Sequence, residues 1–204
     1  MRLLGLIGAA FALLFGMTII FGSWYTVDQG ERVIVTRNGA VIRSDGPGFH
    51  FKAPWLDDTT VFSLRTQRSE SFTTKTYSKD IQEATVLMSL NYRVDQGQVE
   101  KIYAELGTTY FDRMIAPNVL RVTKEIAGRY TAAEIVQNRD RLGDEITSSF
   151  ASEVAPHGII IEQVQIENVD FSDAFEHAIE DRMKEEVQVA RQRQILEQNK
   201  VIAE

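Results

Sequence analysis

The chain has 204 residues, 22 Lys and Arg against 29 Asp and Glu, a net charge of −7, and no cysteine. Without cysteine there can be no disulfide, thiol catalysis or Cys-based zinc site, and an acidic chain with no long basic run lacks the electrostatic footprint of a nucleic-acid binder.

Leu3 to Gly22 is an uncharged run of twenty residues. At about 1.5 Å of rise per residue a helix of that length crosses a hydrocarbon core of roughly 30 Å, so a retained single-pass membrane anchor is expected. The rival is a cleaved signal peptide, which also starts with positive charge. The run exceeds the usual apolar core of such a peptide, about 7–15 residues, and no Ala-x-Ala-like site follows it. Trp24 and Tyr25 stand where aromatic rings anchor a helix at the lipid–water interface. Gly8, Ala12 and Gly16 are spaced by four, a small-residue pattern that allows close transmembrane packing, although glycine is common in membrane helices anyway. With so short an N-terminal tail, the tail is expected to stay in the cytoplasm or matrix and the bulk of the chain to lie across the membrane from it.

About 180 residues remain, enough for one moderate domain with a helical extension or for two small ones. Arg32–Arg37 and Ala40–Arg43 flank Asn38-Gly39, the strongest short hairpin signal, because both turn residues tolerate positive φ. Asp45-Gly46-Pro47-Gly48 turns the chain, and Phe49-His50-Phe51 sets two aromatics on one side of a short strand. Strands are expected at Thr60–Thr66 and Glu70–Lys75. Another is expected from Ala84 to Val94, where apolar residues alternate with mostly polar neighbours.

Beyond Val94 the period becomes helical. Val99, Ile102, Tyr103 and Leu106 mark one helix, and a second follows Thr108-Thr109, kinked or started by Pro117. Thr131 and Glu134 have capping-box spacing. Leu142, Ile146, Phe150 and Val154 form a stripe that Pro156 and Gly158 stop. Ile159–Phe171 returns to strand chemistry, with Ile160, Val164 and Ile166 expected on one face and the strand closing back on the sheet. The fold class is therefore α+β.

Ser172 is a good N-cap for a terminal helix in which Phe171, Phe175, Ile179, Met183, Val187 and Ala190 follow at steps of 4, 4, 4, 4 and 3. Such steps favour straight or slightly right-handed packing, and a helix of roughly 50 Å outreaches a domain of this size. The stripe Phe175, Ile179, Met183, Val187 and Ala190 is the expected oligomer interface; an ordinary amphipathic helix resting on its own domain is the alternative.

His50, His157 and His177 fall in different elements, and none has metal-ligand spacing. No nucleophile elbow, phosphate loop or dinucleotide fingerprint occurs. No catalytic residue, cofactor or metal is expected.

Several words in order then resemble a known family: Asp28-Gln29-Gly30-Glu31-Arg32, Gly46 to Trp55, Arg65-Thr66-Gln67, Ser78-Lys79-Asp80 and Asn91-Tyr92-Arg93-Val94. They are similar to the signature of the SPFH (Band 7) domain. Tyr110-Phe111-Asp112-Arg113, Ala133 to Val136, Arg139 and Gly158 to Ile161 with Phe171 and Phe175 resemble the prohibitin pattern within it. The resemblance covers residues 24–204. It implies a membrane scaffold whose copies, or copies alternating with a homologous subunit, pack their long helices into rings or cages. Those assemblies enclose membrane lipid and hold or restrain a membrane-anchored AAA protease. The long coiled coil and cap-forming tail of a prohibitin are missing or cut short, which puts cage closure in doubt. The corresponding division is an anchor at 1–23, a β-rich subdomain at 24–95, a mixed α/β subdomain at 96–171 and a long coiled-coil-type helix at 172–204. A stomatin-like or HflK/HflC-like protein is a variant of this reading; a monomeric or dimeric tethered binding module, and less so an enzyme, are its rivals.

Overall fold

The computed structural model describes residues 22–172, together with Leu13, residues 16–18, Phe175 and Arg191. The expected membrane span lies almost wholly outside these residues, as does most of the terminal helix. Among the described residues no helix is long and apolar enough to cross a membrane.

The chain opens with β1 (Trp24–Val27), β2 (Glu31–Arg37), β3 (Ala40–Asp45), β4 (Gly48–Phe51) and β5 (Asp57–Ser63). Asn38 and Gly39 both have positive φ, 50° and 82°, so the β2–β3 hairpin closes on the two-residue turn expected of that pair. β2 is the middle strand of an antiparallel sheet ordered β3-β2-β5, and β1 pairs with β4 as a separate antiparallel ribbon. β5 begins at Asp57, three residues earlier than its β-branched run indicates, because pairing with Arg37 at the end of β2 extends the ladder.

The second sheet is built on β8 (Glu83–Val94). One edge of β8 pairs with β6 (Gln67–Arg68) and β7 (Phe72–Tyr77), the other with β9 (Ile159–Phe171), all antiparallel. Between β8 and β9 lie α1 (Val99–Leu106), α2 (Ala116–Ala127), α3 (Ala132–Gln137) and α4 (Arg139–Val154). Pro117 marks the start of α2, where its missing N–H costs nothing, and Phe111–Ile115 before it form a π-helical turn. The capping box forms with both bonds: the Glu134 amide donates to the Thr131 hydroxyl, and the Thr131 amide to the Glu134 carboxylate.

Leu142, Ile146, Phe150 and Val154 are fully buried. Each contributes roughly 1.5–3 kcal/mol by leaving water. They face β9 and join the inward residues of β8, from Ala84 to Val94, in one core. Ile34 and Phe62 reach that core from the first sheet, where Phe62 stacks on Tyr110 and meets Tyr103 edge-on, both at 6.0 Å.

One expectation fails. Ile160 does not share a face with Val164: the inward residues are Ile159, Ile161 and Val164, and opposite Met88 and Val86 stand Ile166 and Val169. The reason is two bulges. Glu162 and Glu167 have no partner residue on β8, so the alternation slips by one at each. Both carboxylates turn to the polar face, where Glu162 accepts from Thr66 and Glu167 from Ser71 and Arg68.

Candidate membrane-facing surface

Period-two alternation divides the β1–β4 ribbon into two chemically different faces. The register pairs Trp24 with Phe51, Tyr25 with His50 and Thr26 with Phe49. Trp24, Phe49 and Phe51 therefore share the outer face. The Trp24 and Phe49 rings stack at 5.7 Å, and Phe51 meets Phe49 edge-on at 5.0 Å. All three are exposed.

Tyr25 lies on the inner face against the small cluster of Val27, Val33 and Val35. Its hydroxyl donates to Asp45, and the Arg43 guanidinium donates both to Asp45 at 2.8 Å and to the backbone oxygen of Phe51. Burial pushes the Asp45 carboxyl up, but the bonds from Arg43 and Tyr25 outweigh it and hold the group below the usual carboxylate range. Burial, reinforced by Asp45, raises the Tyr25 phenol. The His50 ring donates from Nε2 to the Gly46 carbonyl, 2.7 Å away, which fixes its tautomer.

Beyond β4 the chain turns through Pro54, Trp55 and Leu56. The Asp57 carboxylate clamps this turn, accepting from the Ala53 amide at 2.8 Å and from Arg37 at 2.7 and 3.1 Å. Those bonds hold Asp57 below the ordinary carboxylate value. Trp55 has a φ of 64°, a left-handed backbone that costs a bulky residue on the order of 1–3 kcal/mol, and it is 68% exposed beside the exposed Leu56. A rigid turn thus presents a large apolar ring outward.

This surface sits at the end of the uncharged N-terminal run. The Lys52 amide donates to the Ser23 carbonyl at 2.8 Å, and a Cβ placed on Gly22 would lie 3.2 Å from that of Pro54. Trp24, Phe49, Phe51, Trp55 and Leu56 consequently make an exposed apolar rim on the ribbon and turn that adjoin the point where the chain leaves that run. Scattered exposed apolar residues are ordinary; five on one ribbon and its adjoining turn make a candidate interaction surface.

Of the residues singled out from sequence, Trp24 is on this rim and Tyr25 on the opposite face of the same strand. Gly16 has open space around the position of a Cβ. Phe175 packs against Phe171 of its own chain, with ring centroids 5.2 Å apart. Gly8, Ala12, Ile179, Met183, Val187 and Ala190 lie outside the described residues. Phe49, Phe51, Trp55 and Leu56 were not among the candidates. The Phe-x-Phe alternation was a visible signal, but its alignment with Trp24 depends on a strand pairing across more than twenty residues. Among the described residues no three His, Asp or Glu side chains gather to hold a metal.

Comparison with known proteins places residues 25–200 on the family model described as SPFH domain / Band 7 family. Prohibitin-1 of Colletotrichum higginsianum is 28% identical over 89% of this chain and 66% of its own length. Prohibitin 1 of Mus musculus is 24% identical over 95% of the chain and 71% of its own length. The mitochondrial prohibitin complex protein 1 of Caenorhabditis elegans is 23% identical over 95% and 70%. The chain thus spans about two thirds of the length of these curated relatives.

Proposed function

Since the chain belongs to the SPFH/Band 7 family and has prohibitins as its relatives, we propose that it is a membrane-anchored scaffold whose copies assemble side by side into a ring- or cage-like structure. In this reading residues 1–23 anchor the chain in an inner membrane, residues 24–171 stand on the periplasmic or intermembrane face, and residues 172–204 pack laterally. The assembly organises a lipid patch and holds or restrains membrane proteins, a membrane-anchored AAA protease among them. A homologous subunit alternating with this one is compatible with the same mechanism.

The observation that carries the reading is the apolar rim. Trp24 and Trp55 are the two tryptophans of the chain, and both belong to it. Aromatic rings are at home at the headgroup level, so a ribbon seated there fixes the height and tilt of the domain that the anchor alone leaves free. Copies confined to one plane at one height meet at high effective concentration, and weak lateral contacts then suffice for assembly. The relative from C. elegans is itself named as a complex protein.

Two measurements on the full chain in lipid test this. Brominated lipids should quench both tryptophans, and particles extracted in mild detergent should be large by light scattering. Unquenched tryptophans would remove the membrane seat. Small particles at every concentration would replace the scaffold by a tethered binding module.

A further inference from the structure

Two irregular segments of the fold line one cavity from opposite sides. β6 ends at Arg68 and β7 begins at Phe72, and between them Glu70 and Ser71 leave the sheet edge. Ser69 holds the gap: its amide donates to the Leu90 carbonyl at 2.9 Å, and its hydroxyl accepts from the Leu90 amide at 3.0 Å. Across from it lies the π-helical turn Phe111–Ile115, where the Ala116 amide donates to the Phe111 carbonyl. Such turns put an extra residue into a helix and are frequent at functional sites. The space between is about 500 Å³, within the range of roughly 300–1,000 Å³ usual for small-molecule sites.

The cavity has an aromatic floor and an acidic mouth. Phe72, Tyr92, Phe111 and Leu120 line it, with the Tyr92 and Phe111 rings 5.5 Å apart. Tyr92 is buried, and burial, with Tyr110 and then Asp112 nearby, raises its phenol, so the hydroxyl stays protonated. Glu70 and Asp112 are exposed lining residues, one from each irregular segment, and neither carboxylate has an ion pair among the described residues. The third charged lining residue, Arg68, is already engaged: its guanidinium donates to Glu167 at 2.9 Å and to Ser89 at 3.2 Å. Arg113, beside Asp112, does not line the cavity and donates to the Leu106 carbonyl at 3.3 Å. The helix N-terminus at this point carries about half an elementary positive charge, less than either carboxylate offsets. The mouth is therefore net negative.

We propose that this cavity binds a small amphiphilic cation, an apolar body carrying an organic ammonium group. The body displaces water from Phe72, Phe111 and Leu120, and the ammonium stands between Glu70 and Asp112, where the π-electrons of Tyr92 and Phe111 attract the same charge. A carboxylate-bearing ligand of equal size meets like charge, so sign rather than size selects. The site shares no residue with the apolar rim and does not depend on the scaffold reading.

The probe is monodansylcadaverine, a fluorescent ring system with an alkylammonium tail; dansylglycine and N-propyl dansylamide are its anionic and neutral counterparts. The full chain is held in phosphatidylcholine nanodiscs, with empty discs as the blank. Saturable binding of the cation above the blank is expected, at least about tenfold tighter than that of either counterpart. Glu70→Gln with Asp112→Asn keeps the shape of the cavity and takes away its charge, and should weaken the cation about tenfold while leaving the neutral probe unchanged. Leu120→Trp fills the cavity and should abolish binding of the cation at an unchanged melting temperature; if that variant melts early, the charge variant alone decides. No saturable binding, equal affinity for the three probes, or cation binding undisturbed by the loss of both carboxylates overturns the site.

Discussion

Tyr25 on β1 donates its hydroxyl to Asp45 on β3, and through Arg43 the same carboxylate is tied to the backbone of Phe51 on β4. Side chains on the inner side of the ribbon thereby set the position of the aromatics on its outer side. Removing the hydroxyl with Tyr25→Phe should leave Asp45 short of one donor in a partly buried site. The expected loss is about 1–2 kcal/mol, discounted for partial exposure, together with faster amide exchange in Trp24–Val27. An unchanged denaturation midpoint and unchanged exchange would show that the ribbon is held by its backbone pairing alone.

The rim makes a separate demand on chemistry. Phe49→Asp with Phe51→Asp places two charges on the exposed face without touching a buried residue. The fold should lose about 1–3 kcal/mol with its two ring pairs but remain cooperative, while quenching of Trp24 and Trp55 by brominated lipid should fall. Equal quenching in the variant would mean that the tryptophans do not depend on these rings for their depth.

Thr76 is 2% exposed, and its hydroxyl has no hydrogen-bond partner among the described residues. A buried hydroxyl left unpaired costs roughly 1–3 kcal/mol, and valine has the same shape and suits a strand. Thr76→Val should therefore stabilise the chain by about 1 kcal/mol, read as a higher denaturation midpoint at unchanged slope. A lower midpoint would reveal a partner for the hydroxyl.

Gly143 lies inside α4, where alanine would ordinarily gain up to about 1 kcal/mol of helix propensity. Here a Cβ would stand 3.0 Å from the Val164 carbonyl, and beside it the Thr147 hydroxyl accepts from the Val164 amide at 2.8 Å. The Val164 carbonyl is backbone and cannot swing aside, and the Thr147 bond holds that stretch of β9 against the helix. Gly143→Ala should destabilise by about 1–3 kcal/mol, the cost of overpacking a close helix–strand contact. A gain in stability would show that α4 can retreat from β9.

Asp57 supplies a pH dependence whose sign follows from its partners. The Arg37 guanidinium first, and then the Ala53 amide, hold its carboxyl below the ordinary value of about 3.9. Its contribution is complete above that unfolded value and is lost as pH falls through the lower folded one. Asp57→Asn should therefore destabilise at neutral pH and flatten the acid limb of a stability–pH curve. A variant with the same acid limb would assign the loss to other carboxylates.

Local signals in the sequence foretold much of this fold. Asn38-Gly39 closes a hairpin because both residues accept positive φ; Thr131 and Glu134 cap a helix within four residues of each other; Leu142 to Val154 buries one stripe of α4. Each effect acts over a turn or a few residues of chain. The inward face of β9 was not legible, because the bulges at Glu162 and Glu167 exist only relative to β8. The π-helical turn before Pro117 likewise left no periodic mark.

The rim divides in the same way. Composition and order alone determined an α+β chain with an uncharged N-terminal run, aromatic residues directly after it and a stripe of apolar residues at its end, since hydrophobic periodicity and turn chemistry are written residue by residue. Only the tertiary structure decided that Trp24 shares a face with Phe49 and Phe51 while Tyr25 turns inward. Strand pairing joins positions far apart in the chain, and which side of a sheet a residue faces is a property of the pair rather than of either strand.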